Sequence, residues 1–485
     1  MSHRPQLEML DEELLKKIID EAKLVLDEIG VEFTNEEAIG ILEDYGARRD
    51  KKSGRMLFDG DTVDKAASDA PESFQIYNRC GDIAMDLGGE KTHFVPGSAA
   101  ISILDTESSQ MRKPKSQDLL NFYRVTEALS HIDAMATGLI PEDVAEAVSD
   151  SYRLYLALMT GEKPVVTGAF TEEGIRPMLD MLVASRGSRE ELEEKPLAWF
   201  SCCPSSPLKF SDATSQNLMD CARMMVPIET IAMPLAGFLA PVTLVGTLVQ
   251  HTAESMSAVI LAQAARKGTP VLYGGSPAIF DLRYETTPMG AIETMMIDCA
   301  YSQIGKRLAM PTQAYMALSD SKLLDCQAGI ESSMASVLAS LAGVNSVSGP
   351  GMLDFESCQC IEKLIVDNEI CKMAQRLSRG IEPRDDFPSL ARFRELIEEK
   401  HLLISEHTLE HLPQEHVQVD DVINRRVRQR WIDEGRNSLA ERARAKMAEI
   451  LAAPPPEAPA CKEELKEIMG DAAKRAGMDG LPELQ

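Results

Sequence analysis

Positive charge is what this chain lacks most. It carries 50 Lys and Arg against 77 Asp and Glu, a formal net charge of −27. A nucleic-acid binder needs a basic face against phosphates, so that class is excluded, and an anionic membrane surface is excluded with it. The acidic surplus suits cationic small molecules or a positively patched protein partner, and it equally suits plain solubility. No apolar run approaches the roughly 18 residues of a membrane span. The N-terminal Met-Ser-His-Arg-Pro-Gln-Leu-Glu has no apolar signal core, so a cytoplasmic protein is expected. Ten cysteines show no framework spacing and are expected to be reduced. Phosphate-cradling GxGxxG and GxxxxGK[ST] loops are missing in context, as is the GxSxG elbow on which a Ser-His-Asp triad would stand. Of the eight histidines, only His93 and His251 fall where they have a chance of facing a barrel interior.

What is present is a repeat. Eight times between His93 and Phe355 a compact apolar run ends in small residues or proline and is followed by an amphipathic stretch. The runs begin at His93, Asp133, Pro164, Leu197, Ile228, Pro270, Met310 and Val344, about 31 to 42 residues apart. Parallel strands need a helical crossover of this length, and eight such units close into an α/β (β/α)8 TIM barrel. The barrel is expected over residues 91–380. A mixed, mostly helical extension occupies 1–90 and a helical one 381–485, with a Pro-rich spacer near 451–460. Asp11 caps a helix from Glu12 through Glu28 that Gly30 stops, and a second runs from Asn35 to Asp44. Pro241 and Gly268, and then Pro288 and Gly305, bracket two crossover helices. A further one runs from Leu323 to Leu341 before Gly343. Phe387 to Lys400, Asp420 to Glu449 and Cys461 to Ala476 read as helices of the C-terminal extension. Residues 55–87 read as short strands and one helix covering a barrel end.

In such a barrel the chemistry sits on the loops after the strands. These segments, among them Gly168-Ala-Phe-Thr-Glu and Gly349-Pro-Gly-Met-Leu-Asp-Phe-Glu, hold small residues and backbone more than charge. They predict a wide mouth for a bulky planar cofactor above a small apolar or cationic substrate. Phe238, Tyr273, Tyr315 and Phe355, with Phe280, either cage a quaternary ammonium by cation–π attraction or cap the core. Arg283 and Lys322 either bind a substrate carboxylate or form ion pairs. Asp320, Gln327 and Glu331 orient substrate or cap the helix after strand seven. Cys202, Cys203, Cys326, Cys358 and Cys360 offer thiolates for zinc, but no HxC or CxxC motif joins them.

Several segments together resemble the trimethylamine methyltransferase family. They are Leu24-Val-Leu-Asp-Glu-Ile-Gly-Val-Glu-Phe, Gly274-Gly-Ser-Pro-Ala-Ile-Phe-Asp-Leu-Arg, Thr287-Pro-Met-Gly-Ala-Ile-Glu, Ser319-Asp-Ser-Lys-Leu-Leu-Asp-Cys-Gln-Ala-Gly-Ile-Glu and Leu364-Ile-Val-Asp-Asn-Glu-Ile. The last two are the most specific, and the resemblance spans about residues 10 to 450. It implies a (β/α)8 barrel that moves a methyl group from a methylamine to the cob(I)alamin of a separate corrinoid protein, with no permanently bound cofactor. Archaeal trimethylamine enzymes of the family carry pyrrolysine. Every position here is a standard residue, so the chain resembles the branch acting on quaternary amines such as glycine betaine, proline betaine or carnitine. A corrinoid protein and a further copy of the chain are the expected partners, with docking expected around Gly138–Asp143 and Gly349–Glu356. The rival readings are a zinc-thiolate methyltransferase for a thiol or alcohol, and a non-catalytic betaine-binding barrel.

Overall fold

Each of the eight apolar runs becomes a short parallel strand in a computed structural model that describes residues 4–170, 174–384 and 387–484. In chain order these are β1 (His93–Val95), β2 (Met135–Ala136), β3 (Val165–Thr167), β4 (Ala198–Cys202), β5 (Ile228–Thr230), β6 (Val271–Leu272), β7 (Gln313–Ala314) and β8 (Ser346–Ser348). Hydrogen-bonded ladders run β2-β3-β4-β5-β6 and β7-β8-β1. Backbone bonds outside these ladders close the two seams. The Asp133 N–H donates to Phe94 O at 2.8 Å across β1 and β2, and the Tyr273 N–H to Pro311 O at 2.8 Å across β6 and β7. The strands therefore close into a barrel, and their short lengths fit the small residues that end each run.

Alternation along each strand sorts side chains between two cores. Val95, Ala136, Val166, Trp199 and Leu272 point inward and pack with Ile76, Met85 and Leu87 of the hairpin Phe74–Tyr77 and Ile83–Leu87. The hairpin sits where the strands begin: the Tyr77 N–H bonds Pro196 O at 2.8 Å and the Arg79 N–H bonds Glu162 O at 2.7 Å. It plugs the closed end of the barrel. Outward residues such as Phe94, Ala198 and Phe200 join the core between strands and helices.

The helix Leu244–Ala265 is apolar on nearly all sides and is buried from Thr247 through Gln263 except at Val249 and Gln250. Such a helix must be covered on both faces. The barrel covers one. The helices Glu12–Glu28, Glu36–Tyr45 and Gly60–Asp69 cover the other. Asp11 caps the first as expected, accepting from the Leu14 N–H, and Asn35, expected inside the second, caps it instead by accepting from the Ala38 N–H.

Two boundaries differ from expectation. Gly305 lies inside the helix Ile292–Arg307 and does not end it. A Cβ there would stand 2.7 Å from both Thr312 and Tyr273, so this glycine serves close helix–strand approach. The stretch Asp420 to Glu449 is broken into Arg428–Asp433 and Leu439–Ala452. Gly435 turns through φ +99°, and Ser438 with Glu441 forms a capping box that starts the second helix afresh. That helix packs on Ile361–Ser378 and Ser116–Ala128, and Lys462–Arg475 packs on Glu146–Thr160 and Ile175–Arg186. Met1–His3, on which the reading of the N-terminus partly rests, lie outside the described residues. Among those described, no helix is long and apolar enough to cross a membrane.

Candidate active site

At the open end of the barrel, above Trp199, lies a cavity of about 420 Å³. Its lining includes Ser98, Thr137, Gly168, Ser201, Ile231, Ser276, Tyr315 and Phe355, so all eight strands or their following loops contribute. Thr171 and Glu172 of the expected segment Gly168–Glu172 lie outside the described residues.

Two carboxyl groups lie close to this cavity, Glu356 in its lining and Glu229 buried behind the lining residue Ser201. Glu229 of β5 is wholly buried and sits on an inward position. Its carboxylate accepts from the Trp199 indole N–H at 2.8 Å and from the Ser201 hydroxyl at 2.6 Å. Burial nevertheless pushes its pKa up to about 7, against the pull of those two donors. Glu356, from the loop after β8, lines the cavity itself. Burial and then the charge of Glu229 drive its carboxyl well above the ordinary range. Glu356, raised by its surroundings and by the neighbouring Glu229, is poised to be ionised by an arriving cation.

Glu356 is presented by unusual backbone. Asp354, Phe355 and Glu356 have φ of +50°, +57° and +67°, three consecutive non-glycine residues in the left-handed region. Each costs on the order of 1–3 kcal/mol and persists only where the surroundings over-determine it. Here the Asp354 N–H donates to Ser321 O at 2.9 Å, and the Ser357 N–H and hydroxyl return to Asp354 at 3.1 and 3.0 Å. Just before them, Gly351 N–H donates to Asp367 at 2.7 Å, and Lys363 Nζ holds the same Asp367 oxygen at 2.5 Å inside the protein.

The wall carries a single basic residue among the described lining. Arg153 of the helix Glu146–Thr160 is buried, donates to Thr137 O at 2.8 Å and pairs with Asp150 at 2.6 Å. A third bond, to Ser149 O at 3.4 Å, is long. A guanidinium has five N–H donors, so two remain for a ligand.

Of the residues singled out from sequence, Tyr315 and Phe355 reach the cavity. The Tyr315 hydroxyl lies 3.4 Å from Ser98 Oγ. One face of Phe355 is already covered by Lys322, whose Nζ stands 3.8 Å from the ring centroid. Tyr273 follows inward Leu272 and so points outward; it is buried, with its hydroxyl donating to Thr252 at 3.1 Å. Phe238 stacks on Phe280 at 5.1 Å on the exposed rim. Arg283 pairs with Asp281 at 2.5 Å in solvent, and Lys322 pairs with Asp354 at 3.4 Å outside the cavity lining.

Asp320, Gln327 and Glu331 knit loops together below the rim and do not line the cavity. Asp320 accepts from the N–H groups of Met289 and Gly290, both at 2.9 Å, and burial pushes its pKa up to about 6. Glu331 accepts from the Ser319 hydroxyl at 2.6 Å and the Asp320 N–H at 2.8 Å, and Gln327 donates to Glu331 at 2.9 Å. His93 bonds Asp133 at 3.1 Å at the closed end, and His251 stacks on Tyr301 at 4.1 Å behind the strands. The cysteines do not converge, and among the described residues no three His, Cys, Asp or Glu side chains form a metal-holding group. Cys203 lines the cavity with its thiol pushed by burial up to about 12, and Cys202 is higher still, so neither is a thiolate in the free site.

Sequence reading passed over Glu229, Arg153 and Trp199. Glu229 had a signal, a lone acid inside the run Ile228-Glu-Thr-Ile-Ala-Met. Arg153 had none, since a single Arg in a crossover helix looks like any solvated charge.

Around the cavity stands an apolar rim. Ile101, Phe170, Phe238, Val242, Leu282 and Tyr284 are each more than 60 % exposed, and they belong to the loops after β1, β3, β5 and β6. By contrast Leu139 and Gly349 to Leu353, in the two segments expected to dock a partner, are buried.

The sequence model of the trimethylamine methyltransferase (MTTB) family matches residues 1–478. The chain is 28 % identical to the trimethylamine methyltransferase MttB of Desulfitobacterium hafniense, over 88 % of this chain and 86 % of that one. It is 27 % identical to the glycine betaine methyltransferase of D. hafniense strain Y51, over 98 % of both. Among solved structures it resembles the Methanosarcina barkeri monomethylamine methyltransferase MtmB at a TM-score of 0.50, covering 90 % of this chain and 98 % of that one. A hydroxylamine complex of MtmB matches at 0.54, covering 97 % and 88 %. Both are 13 % identical and speak to the fold alone. With its barrel closed and nearly its whole length matched, the chain belongs to the trimethylamine methyltransferase family.

Proposed function

We propose that this chain transfers a methyl group from a carboxylated quaternary amine of the betaine type to the cob(I)alamin of a separate corrinoid protein. The observation that carries the reading is the bipolar cavity. Tyr315, Phe355 and Glu356 offer a cation site of aromatic faces and an acid, with the charge of Glu229 close behind. Arg153 offers an anion site on the same wall.

A cavity of about 420 Å³ holds a betaine but is too small to enclose a corrin ring as well. A flat macrocycle fits only at the mouth, against the apolar rim, and must come on another protein. Cob(I)alamin, once docked, supplies a nucleophile that needs no activating base. The residues of this chain then have three tasks. Arg153 and the acids align the substrate along the barrel axis. Tyr315 and Phe355 hold the ammonium so that one methyl faces the rim. The rim and the plugged floor keep water out. A quaternary nitrogen leaves as a neutral tertiary amine, so no proton has to be delivered, which suits a site without a histidine.

Melting the purified chain with glycine betaine, proline betaine, carnitine, choline and trimethylamine tests this. A ligand bound only by the folded state raises the melting temperature with concentration over Kd. A rise confined to the carboxylated quaternary amines is expected. An equal rise with choline would remove the carboxylate, and no rise with any of the five would sink the betaine reading.

A further inference from the structure

We infer that residues 381–384 and 387–427 form the surface through which two copies of this chain associate. The helix Leu390–Glu399 is strongly amphipathic yet none of its residues is buried. Its stripe Leu390, Phe393 and Ile397 lies at helical spacing, and the stripe continues through Leu403, Ile404 and Leu409. All six are between 58 % and 78 % exposed. The second helix, Glu406–Glu415, also has no buried residue.

The arm is tethered at both ends. The helix Ile361–Ser378 leads into it, and at its far end the Asp420 N–H donates to Glu369 at 2.9 Å. In between, Arg376 of that helix reaches Glu415 at 3.2 Å, and Arg384 within the arm reaches the same residue at 2.6 Å. Glu415 thus faces the parent chain while the apolar stripe from Leu390 to Leu409 stays exposed. That is the reverse of a stable free surface.

The occupant follows from position, area and charge. The helix Ile361–Ser378 starts near the open end, beside Gly351, and runs back toward the closed end, where Gln375 meets His131 ahead of β2. The arm therefore projects from the end opposite the substrate mouth. A partner seated on the rim does not reach it. Ten large apolar side chains between Ile381 and Val427 are at least 48 % exposed. At on the order of 100 Å² each they offer about 1,000 Å², above the roughly 800 Å² per partner of a stable complex. On a chain of net charge −27, the stripe is flanked by both signs, Arg392 and Arg394 beside Glu395 and Glu398. A mixed surface of this kind complements itself across a two-fold axis.

Sedimentation equilibrium of the full chain, alone and as the double variant Phe393→Glu, Ile397→Glu, decides the matter. The native chain is expected at twice its 53.3 kDa mass or a higher even multiple. The double variant, with its circular dichroism spectrum unchanged, should associate at least 100-fold more weakly. A rim variant, Phe238→Glu, should associate like the native chain. If the double variant fails to fold, Leu403→Ser with Ile404→Ser between the two helices takes its place with the same reading. A native chain of single mass at tens of micromolar would overturn the proposal. So would arm variants that assemble as tightly as the native protein.

Discussion

The same eight strands finish in two different chemistries. At the closed end, Val95, Ala136, Val166 and Leu272 meet the hairpin residues Ile76, Met85 and Leu87 in a dry, fully apolar plug. Further along, Ser201 and Tyr315 line an open cavity, with Glu229 buried behind Ser201. The closed end gains stability from area removed from water. The open end carries two buried acids, a left-handed triplet and a half-used guanidinium, each of which costs stability. The comparison teaches that this barrel separates folding from chemistry along its axis, on β4 by the two residues between Trp199 in the plug and Ser201 in the cavity wall.

The strongest way to break that separation is at the plug. Trp199→Ala removes the largest wholly buried side chain of the floor. It should lower the unfolding free energy by about 3–5 kcal/mol, read from urea or guanidinium midpoints. A loss under 1 kcal/mol would mean the hairpin, not the indole, supports the closed end.

Glu356→Gln acts at the other end. It should weaken binding of a betaine about 100-fold, equal to about 2.7 kcal/mol. The unfolding midpoint should stay level or rise, because a buried carboxyl with a raised pKa is relieved. Unchanged affinity by calorimetry would show that the cavity does not use its acids on a cation.

Acidity sharpens the contrast further. Glu229 titrates near pH 7, where an unfolded Glu titrates near 4.5. The folded ligand-free protein therefore holds this proton more tightly than the unfolded one, so its stability should fall as pH rises from about 4.5 to about 7. A cation prefers the ionised acid, so affinity should move the opposite way. It should grow roughly tenfold between pH 6 and pH 8, by the ionised fraction of a group with a pKa near 7. Glu229→Gln should flatten both curves by its own share; parallel curves for the two proteins would assign the titration elsewhere.

Much of the frame was legible in sequence because it rests on local rules. Apolar runs ending in small residues gave all eight strands, and Asp11 named its helix by capping. The helix boundary placed at Gly305 failed because that glycine answers to a tertiary contact with Thr312 and Tyr273, which leaves no mark on neighbouring residues. The site was less legible for the same reason. Whether Tyr273 or Tyr315 faces inward is a matter of strand parity, which a two-residue strand does not reveal by alternation. Arg283 and Lys322 stood on suitable loops, but each had an acid within reach, Asp281 and Asp354, that takes up its charge. Arg153 reaches the cavity from a helix, where attention to strand ends does not look.

Trp199 gives this axis a final consequence. Its ring belongs to the plug and its N–H to Glu229. One side chain therefore enters two ledgers, the cohesion of the floor and the proton affinity of the acid above it. A lineage of this fold that repacks its floor for heat or cold also retunes the charge its substrate meets, unless some other donor takes over the bond.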